Sequence, residues 1–228
     1  DNDIVATMKV PSIQIGSFDW AEVVEVIPRL GIFVDIGIDK DMLILADDLP
    51  VYKSVWPLPG DKLYVTLTLD YKNRLLAIPA TEEIFMEMRE LAPEELLNKA
   101  ITGHVYYTSR EGSAIFTEDG HRGFIHHTER EREPRLGERV NGRVIDVKED
   151  ATINVSLLPR KHERINDDAE KILAALNQND GIIPFTDKSD PEAIRETFGF
   201  SKSAFKRALG KLLKEKKVVQ RDGKTYFF

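Results

Sequence analysis

The stretch Gly123-Phe124-Ile125-His126-His127-Thr128-Glu129 decides the fold. An aromatic, an aliphatic and a histidine alternate there behind a glycine. On a strand, successive side chains point to opposite faces, so Phe124 and His126 share one face and Ile125 takes the other. One face can feed a core while the other offers flat rings, which is how a small β-barrel binds the bases of single-stranded nucleic acid.

Outward from that stretch, the strand pattern runs from Ile101 to Pro159. Gly103 to Tyr107 comes first, followed by Gly112 to Phe116, Gly123 to His127, a loop holding Arg135-Leu136-Gly137-Glu138, then Arg139 to Val147 and Thr152 to Leu157. The same order occurs earlier. Phe18 to Val26, Ile32 to Ile36 and Met42 to Leu45 precede a loop with Leu58-Pro59-Gly60-Asp61. Leu63 to Leu69 then alternates strictly, with Tyr64, Thr66 and Thr68 opposite the leucines and Val65, and a turn at Asp70-Tyr71-Lys72-Asn73 leads to Arg74 to Ile78. The two glycine-acid loops occupy equivalent places, which makes an internal repeat. Short strands at this spacing predict two tandem five-stranded barrels of the OB type.

Residues 81–100 change period. Ile84, Phe85, Met88 and Leu91 recur at helical spacing behind the cap candidate Thr81, and Pro93 breaks the helix and can start another. This predicts a structured helical connector. Residues 1–15, with the strand Asp3 to Met8, resemble the end of an upstream unit.

The segment 165–228 is of a different kind. Asn166-Asp167-Asp168 is a cap candidate for a helix bearing Ala169, Ile172, Leu173 and Leu176, and Ser189 and Glu192 have capping-box spacing before a second helix that ends at Gly199. Ser201 caps a third helix, and Val218 to Phe227 is a hairpin with Asp222-Gly223 at its tip. Helix, helix, basic helix and hairpin predict a winged helix. The overall fold class is thus multidomain β and α+β: five-stranded OB-fold barrels at 16–80 and 101–160, a connector at 81–100 and a winged helix at 165–228.

The 228-residue chain has a net charge of -7, but from Ser201 to Phe228 there are nine Lys/Arg against two acids, so the body before that segment is acidic. A basic end on an acidic body marks a nucleic-acid-contacting module. Its cations are Lys202, Lys206, Arg207, Lys211, Lys214, Lys216, Lys217, Arg221 and Lys224. No apolar run reaches membrane-spanning length, and cysteine is absent, which removes disulfides and thiolate metal sites and fits a cytoplasmic protein. Adjacent histidines at 126 and 127 face opposite ways on a strand, so no metal site is expected. No phosphate-cradling glycine loop or nucleophile elbow is present, so neither a cofactor nor an enzymatic activity is expected.

Both barrels resemble the S-one RNA-binding domain, through Gly123-Phe124-Ile125-His126, Gly137-Glu138 and Val155-Ser156-Leu157 in one, and Gly31-Ile32-Phe33-Val34, Gly60-Asp61 and Asp70 with Arg74 in the other. The resemblance implies an RNA face of aromatics, a histidine and an acid-arginine pair four apart. Carried over by position, the first unit keeps Phe33, Asp70 and Arg74 but has Leu45 in the histidine's place. The second keeps His126 but has Ala114 at the aromatic place, with Lys148 and Thr152 at the acid-arginine places. Tyr64, Tyr106, Tyr107 and Phe124 are further stacking candidates. Tandem S-one units followed by a winged helix resemble the conserved virulence factor B family of Gram-positive bacteria. That implies further S-one units upstream and an RNA-binding regulator of virulence-gene expression. The expected partner is single-stranded RNA, with proteins of RNA metabolism as a second class; no membrane partner is expected, and the chain is expected to be a monomer because no helix carries a coiled-coil seam. The alternatives are a protein-interaction scaffold and a DNA-binding transcription factor acting through the winged helix.

Overall fold

Alternating apolar residues set the first sheet. In the computed structural model, which describes residues 10–228 with the side chains of 161–163 excepted, β1 (Asp19–Ile27), β2 (Gly31–Asp35), β3 (Met42–Leu45), β4 (Lys62–Leu69) and β5 (Leu75–Pro79) pair antiparallel in the order β3-β2-β1-β4-β5. The edge strands β3 and β5 come to lie against each other. Ala21, Val23, Ile32, Val34, Ile44, Leu63, Val65 and Ala77 point inward and form the core. Ile13 is buried in that core, and Thr66 Oγ1 donates to the Gln14 carbonyl at 2.8 Å, so the segment before β1 is stitched onto β4. The strand expected at Asp3 to Met8 lies outside the described residues.

The second sheet closes. β6 (Ala100–Thr108), β7 (Gly112–Thr117), β8 (Arg122–His126), β9 (Arg139–Val147) and β10 (Ile153–Ser156) form a barrel in the order β10-β8-β7-β6-β9, with β8 and β10 parallel. Val105, Ile115, Ile125, Val140, Val144, Ile153 and Val155 fill it.

The repeat holds at the level of single hydrogen bonds. Val23 N–H donates to the Asp61 carbonyl (2.8 Å) as Val105 N–H does to that of Glu138 (3.0 Å), and both first strands bulge just after these valines. Gly31 pairs with Leu45 as Gly112 pairs with His126. Both glycines permit close strand approach: a Cβ would sit 1.9 Å from the Ile44 carbonyl oxygen at one and 2.3 Å from that of Ile125 at the other.

Between the barrels lies α1 (Glu82–Met88), followed by a single 3-10 turn at Glu94–Leu96 where a second helix was a possibility. Thr81 makes no side-chain cap bond, so the acids of the first turn answer the helix dipole alone. The barrels are joined directly as well. Lys62 N–H donates to the Gly137 carbonyl (3.0 Å), Leu136 N–H donates to that of Val55 (2.9 Å), and the Leu136 side chain enters the first barrel's core. Arg135 reaches Asp61 at 3.0 Å and Glu138 at 3.4 Å. This ties the two glycine-acid loops together.

The chain from Pro159 forms a separate unit. α2 (Lys161–Gln178), β11 (Ile182–Ile183), α3 (Pro191–Phe198), α4 (Lys202–Lys214), β12 (Val218–Arg221) and β13 (Lys224–Phe227) make a winged helix with sheet order β11-β13-β12. Its core combines Ile172, Leu176, Ile194, Phe198, Phe205, Leu209 and Leu212. Two helix starts differ from the sequence expectation. α2 begins at Lys161, just after Pro159, so Asn166 to Asp168 lie inside it rather than capping it. α3 is capped by Asp190, whose carboxylate accepts from the Glu192 and Ala193 N–H groups, while Ser189 Oγ accepts from Thr186 N–H in the preceding turn.

Candidate nucleic-acid interface

The outer face of the first barrel is set by strand alternation. With Ile32 and Val34 buried, Phe33 points outward and stays half-buried, paired with Leu43 on β3 and Glu25 on β1. At the end of β4, Asp70 organises the turn to β5. Its carboxylate accepts from the Lys72 N–H (2.8 Å), the Arg74 N–H (2.9 Å) and the Arg74 Nε–H (2.8 Å). The Arg74 backbone N–H, its guanidinium and the Lys72 N–H together hold the Asp70 carboxyl below the ordinary range. The carboxylate thus anchors a guanidinium whose side chain remains 63% exposed.

In the second barrel, the register puts Ala114 where Phe33 sits and Phe124 where Leu43 sits. Each unit therefore carries one aromatic of the outward cross-strand pair, on opposite strands. Phe124 is half-buried, with the Arg122 guanidinium 5.9 Å from its ring centre. His126 is exposed, and its Nδ1 lies 2.8 Å from the Thr128 hydroxyl and accepts from the Thr128 N–H at 3.4 Å. The ring lies 4.2 Å from that of His127. The Lys148-to-Thr152 turn repeats the first unit's backbone, with Lys148 N–H donating to the Thr152 carbonyl at 2.8 Å where Asp70 N–H donates to that of Arg74 at 3.0 Å. Here Asp150 rather than the turn's first residue supplies the bracing carboxylate, to Thr152.

Of the aromatic candidates, Tyr106 is buried and Tyr64 is half-buried. The Phe85 ring of α1 stacks on Tyr106 at 3.9 Å, Tyr106 is 9% exposed, and its hydroxyl donates to Glu82, which also binds Arg122 at 3.0 Å. Burial and the Glu82 hydrogen bond push the Tyr106 phenol far up, so it remains a donor. Tyr64 packs among Phe18 (5.8 Å), Trp20 (5.2 Å) and Phe85 (5.7 Å). The α1 helix therefore covers this side of β6 and β7, and Phe85 lies on the Tyr106 ring face. Tyr107, one residue past the bulge, is exposed.

The winged helix separates its cations by direction. Phe205, Ala208, Leu209 and Leu212 bury one stripe of α4. Lys211 reaches back to the Asn166 side chain of α2 and to Glu215. Burial pushes the Asp168 carboxyl of α2 up against the pull of Lys171, Arg164 and Arg207. Lys217 pairs with Glu215 at 2.9 Å, and Lys202 donates to the Lys188 carbonyl at 3.4 Å. Lys206, Lys214, Arg221 and Lys224 are exposed, with no ion pair among the described residues. Arg221 and Lys224 are directly opposite across the β12–β13 hairpin, an arrangement that is unfavourable until an anion lies between them.

One residue of the first barrel escaped the sequence reading. Tyr71, at the tip of the β4–β5 turn, is 87% exposed with the Lys72 ammonium 5.2 Å from its ring centre. As part of Asp-Tyr-Lys-Asn it read only as turn chemistry.

Known proteins match this arrangement along nearly the whole chain. Residues 18–78 match the CvfB first S1-like domain, 85–159 the second domain of virulence regulatory factor CvfB, and 170–227 the CvfB-like winged helix domain. The Bacillus subtilis protein YitL is 50% identical over 98% of this chain and 75% of its own length. Conserved virulence factor B of Staphylococcus saprophyticus is 42% identical over 97% of this chain and 74% of its own. A crystal structure of a multidomain protein with nucleic acid binding domains from Streptococcus pneumoniae superposes with a TM-score of 0.66 at 38% identity, covering 97% of this chain and 79% of that one. On these matches, the chain belongs to the conserved virulence factor B family.

Proposed function

We propose that this protein is a non-enzymatic, cytoplasmic regulator that binds single-stranded RNA and influences virulence-gene expression after transcription. The observation that carries the reading is the set of exposed cations Lys206, Lys214, Arg221 and Lys224 on α4 and the wing of an otherwise acidic chain. Phosphate contacts from such cations position a strand without reading its sequence. The outward faces around Phe33 with Arg74, and Phe124 with His126, add stacking and hydrogen-bond donors. Each face is partial, and faces linked on one chain gain through effective concentration what each lacks alone. The nucleic-acid-binding description of the streptococcal relative supports the same reading.

The test is a titration of fluorescent single-stranded RNA at low and moderate salt, with a duplex DNA arm. The expected result is binding that weakens steeply with salt, with a log–log slope of about 0.7 per phosphate neutralised. A full-length Lys206→Glu/Lys214→Glu/Lys224→Glu variant is expected to lose most of it. No binding to any single-stranded RNA at low salt overturns the reading, and a preference for duplex DNA replaces it with transcription-factor action through the winged helix.

A further inference from the structure

The β4–β5 turn and its counterpart between β9 and β10 are one backbone with two surfaces. Asn73 N–H donates to the Asp70 carbonyl at 2.9 Å, as Ala151 N–H does to that of Lys148 at 2.9 Å, and Asn73 and Ala151 occupy the left-handed region at φ 58° and 56°. The turn therefore forms equally well whether its tip is Tyr71-Lys72 or Glu149-Asp150. Neither Tyr71 nor Lys72 is needed to make it. What the two tips present is opposite: an aromatic with Lys72 and Arg74 in the first barrel, and two acids behind a single lysine in the second.

The first turn is also more apolar at its base. Leu69 and Leu75, paired across β4 and β5, are both about half exposed, whereas the Ile153 that occupies Leu75's place is fully buried. A tyrosine held out into water beside the Lys72 ammonium, on a hairpin whose base carries two half-exposed leucines, keeps apolar surface solvated at a cost that burial against a ligand would recover. Asp70 fixes Arg74 by one edge and one backbone N–H, so the guanidinium is placed before any ligand arrives.

We propose that Tyr71 and Lys72 extend the Arg74 face into a nucleotide-contacting turn. Tyr71 stacks on a base of single-stranded RNA, and Lys72 and Arg74 engage the adjoining phosphates. The second barrel's turn, with Glu149 and Asp150 at its tip, repels the same backbone. The proposal rests on the RNA-binding reading above and adds to it where on the first barrel the strand is held.

The experiment compares the full chain with Tyr71→Ala, Lys72→Ala and Glu149→Ala in anisotropy titrations with a fluorescent oligouridine. Tyr71→Ala is expected to weaken binding about tenfold, the lower-middle of the range for one base–aromatic stack. Lys72→Ala is expected to reduce the salt slope by about 0.7, and Glu149→Ala is expected not to weaken binding. A Tyr71→Trp variant supplies a second readout, because stacking on a base quenches the new indole's emission over that of Trp20 and Trp56. If the unaltered chain binds the RNA and Tyr71→Ala binds it equally well with no quenching in Tyr71→Trp, the turn is not the site and the RNA reading stands. If the unaltered chain fails to bind, the RNA reading falls and takes this proposal with it.

Discussion

A single ring, Tyr106, shows how far residue identity carries. Its strand and its outward direction follow from the alternation of Gly103 to Tyr107, and it was a natural stacking candidate on that basis. What the alternation cannot contain is which outward surface another element covers; Phe85, from a helix some twenty residues away in sequence, lies flat on it. By contrast, Phe33, Asp70, Arg74 and His126 were legible because motif spacing placed them, and the strand register bears out the equivalences Leu45 with His126 and Phe33 with Ala114. Since Tyr106 works inside the molecule, Tyr106→Phe should destabilise it by about 1.5 kcal/mol, the scale of a hydrogen bond to a charged group. Chemical denaturation measures that loss, and RNA titration of the same variant is expected to show unchanged affinity.

At the scale of elements, the four helices were visible in their apolar periodicity or capping signals, and α1 and α4 start where Thr81 and Ser201 placed them, but the starts of α2 and α3 were not legible. Asp and Asn are good caps wherever the helix happens to begin, so Asn166 to Asp168 signalled a start inside a helix that already runs from Lys161. The same ambiguity moved the cap of α3 from Ser189 to Asp190. Within α4, Gly210 stands on the solvent face, where an added Cβ would meet no neighbouring atom within 4 Å. A mid-helix glycine costs about 1 kcal/mol relative to alanine. Gly210→Ala is therefore expected to stabilise the winged helix by about that amount, read as a higher midpoint in thermal unfolding followed by circular dichroism. The direction of each cation was equally hidden from composition: Lys211 turns toward α2, while Lys206 and Arg207 are exposed.

For the molecule as a whole, the strongest long-range statement is the ion cluster of Asp61, Arg135 and Glu138. Arg135 holds carboxylates from both barrels, and each of those carboxylates is largely buried. Removing one partner strands the others, so Arg135→Ala is expected to cost about 3 kcal/mol by denaturant titration of the paired barrels. The cluster also sets an acid limit. Burial pushes the Glu138 carboxyl up, but Arg132 and the Arg135 N–H pull it further down, to a value below the ordinary 4.5. The folded state then takes up this proton less readily than the unfolded chain, so its stabilisation is complete above about pH 4.5 and disappears as pH falls through the lowered value. Thermal midpoints measured from pH 6 down to 3 should fall more steeply for the parent than for Glu138→Gln. The sequence repeat implied two like modules, but the partnership between them was illegible, because Leu136 reads as an ordinary loop leucine until its burial in the neighbouring barrel is seen. That leucine changes how the chain can be dissected. Two units that share a core residue and backbone hydrogen bonds have given up independent existence, so a protease or a cloning boundary placed between them would yield fragments with an open wound on each. The seam that leaves both products whole lies near Pro159.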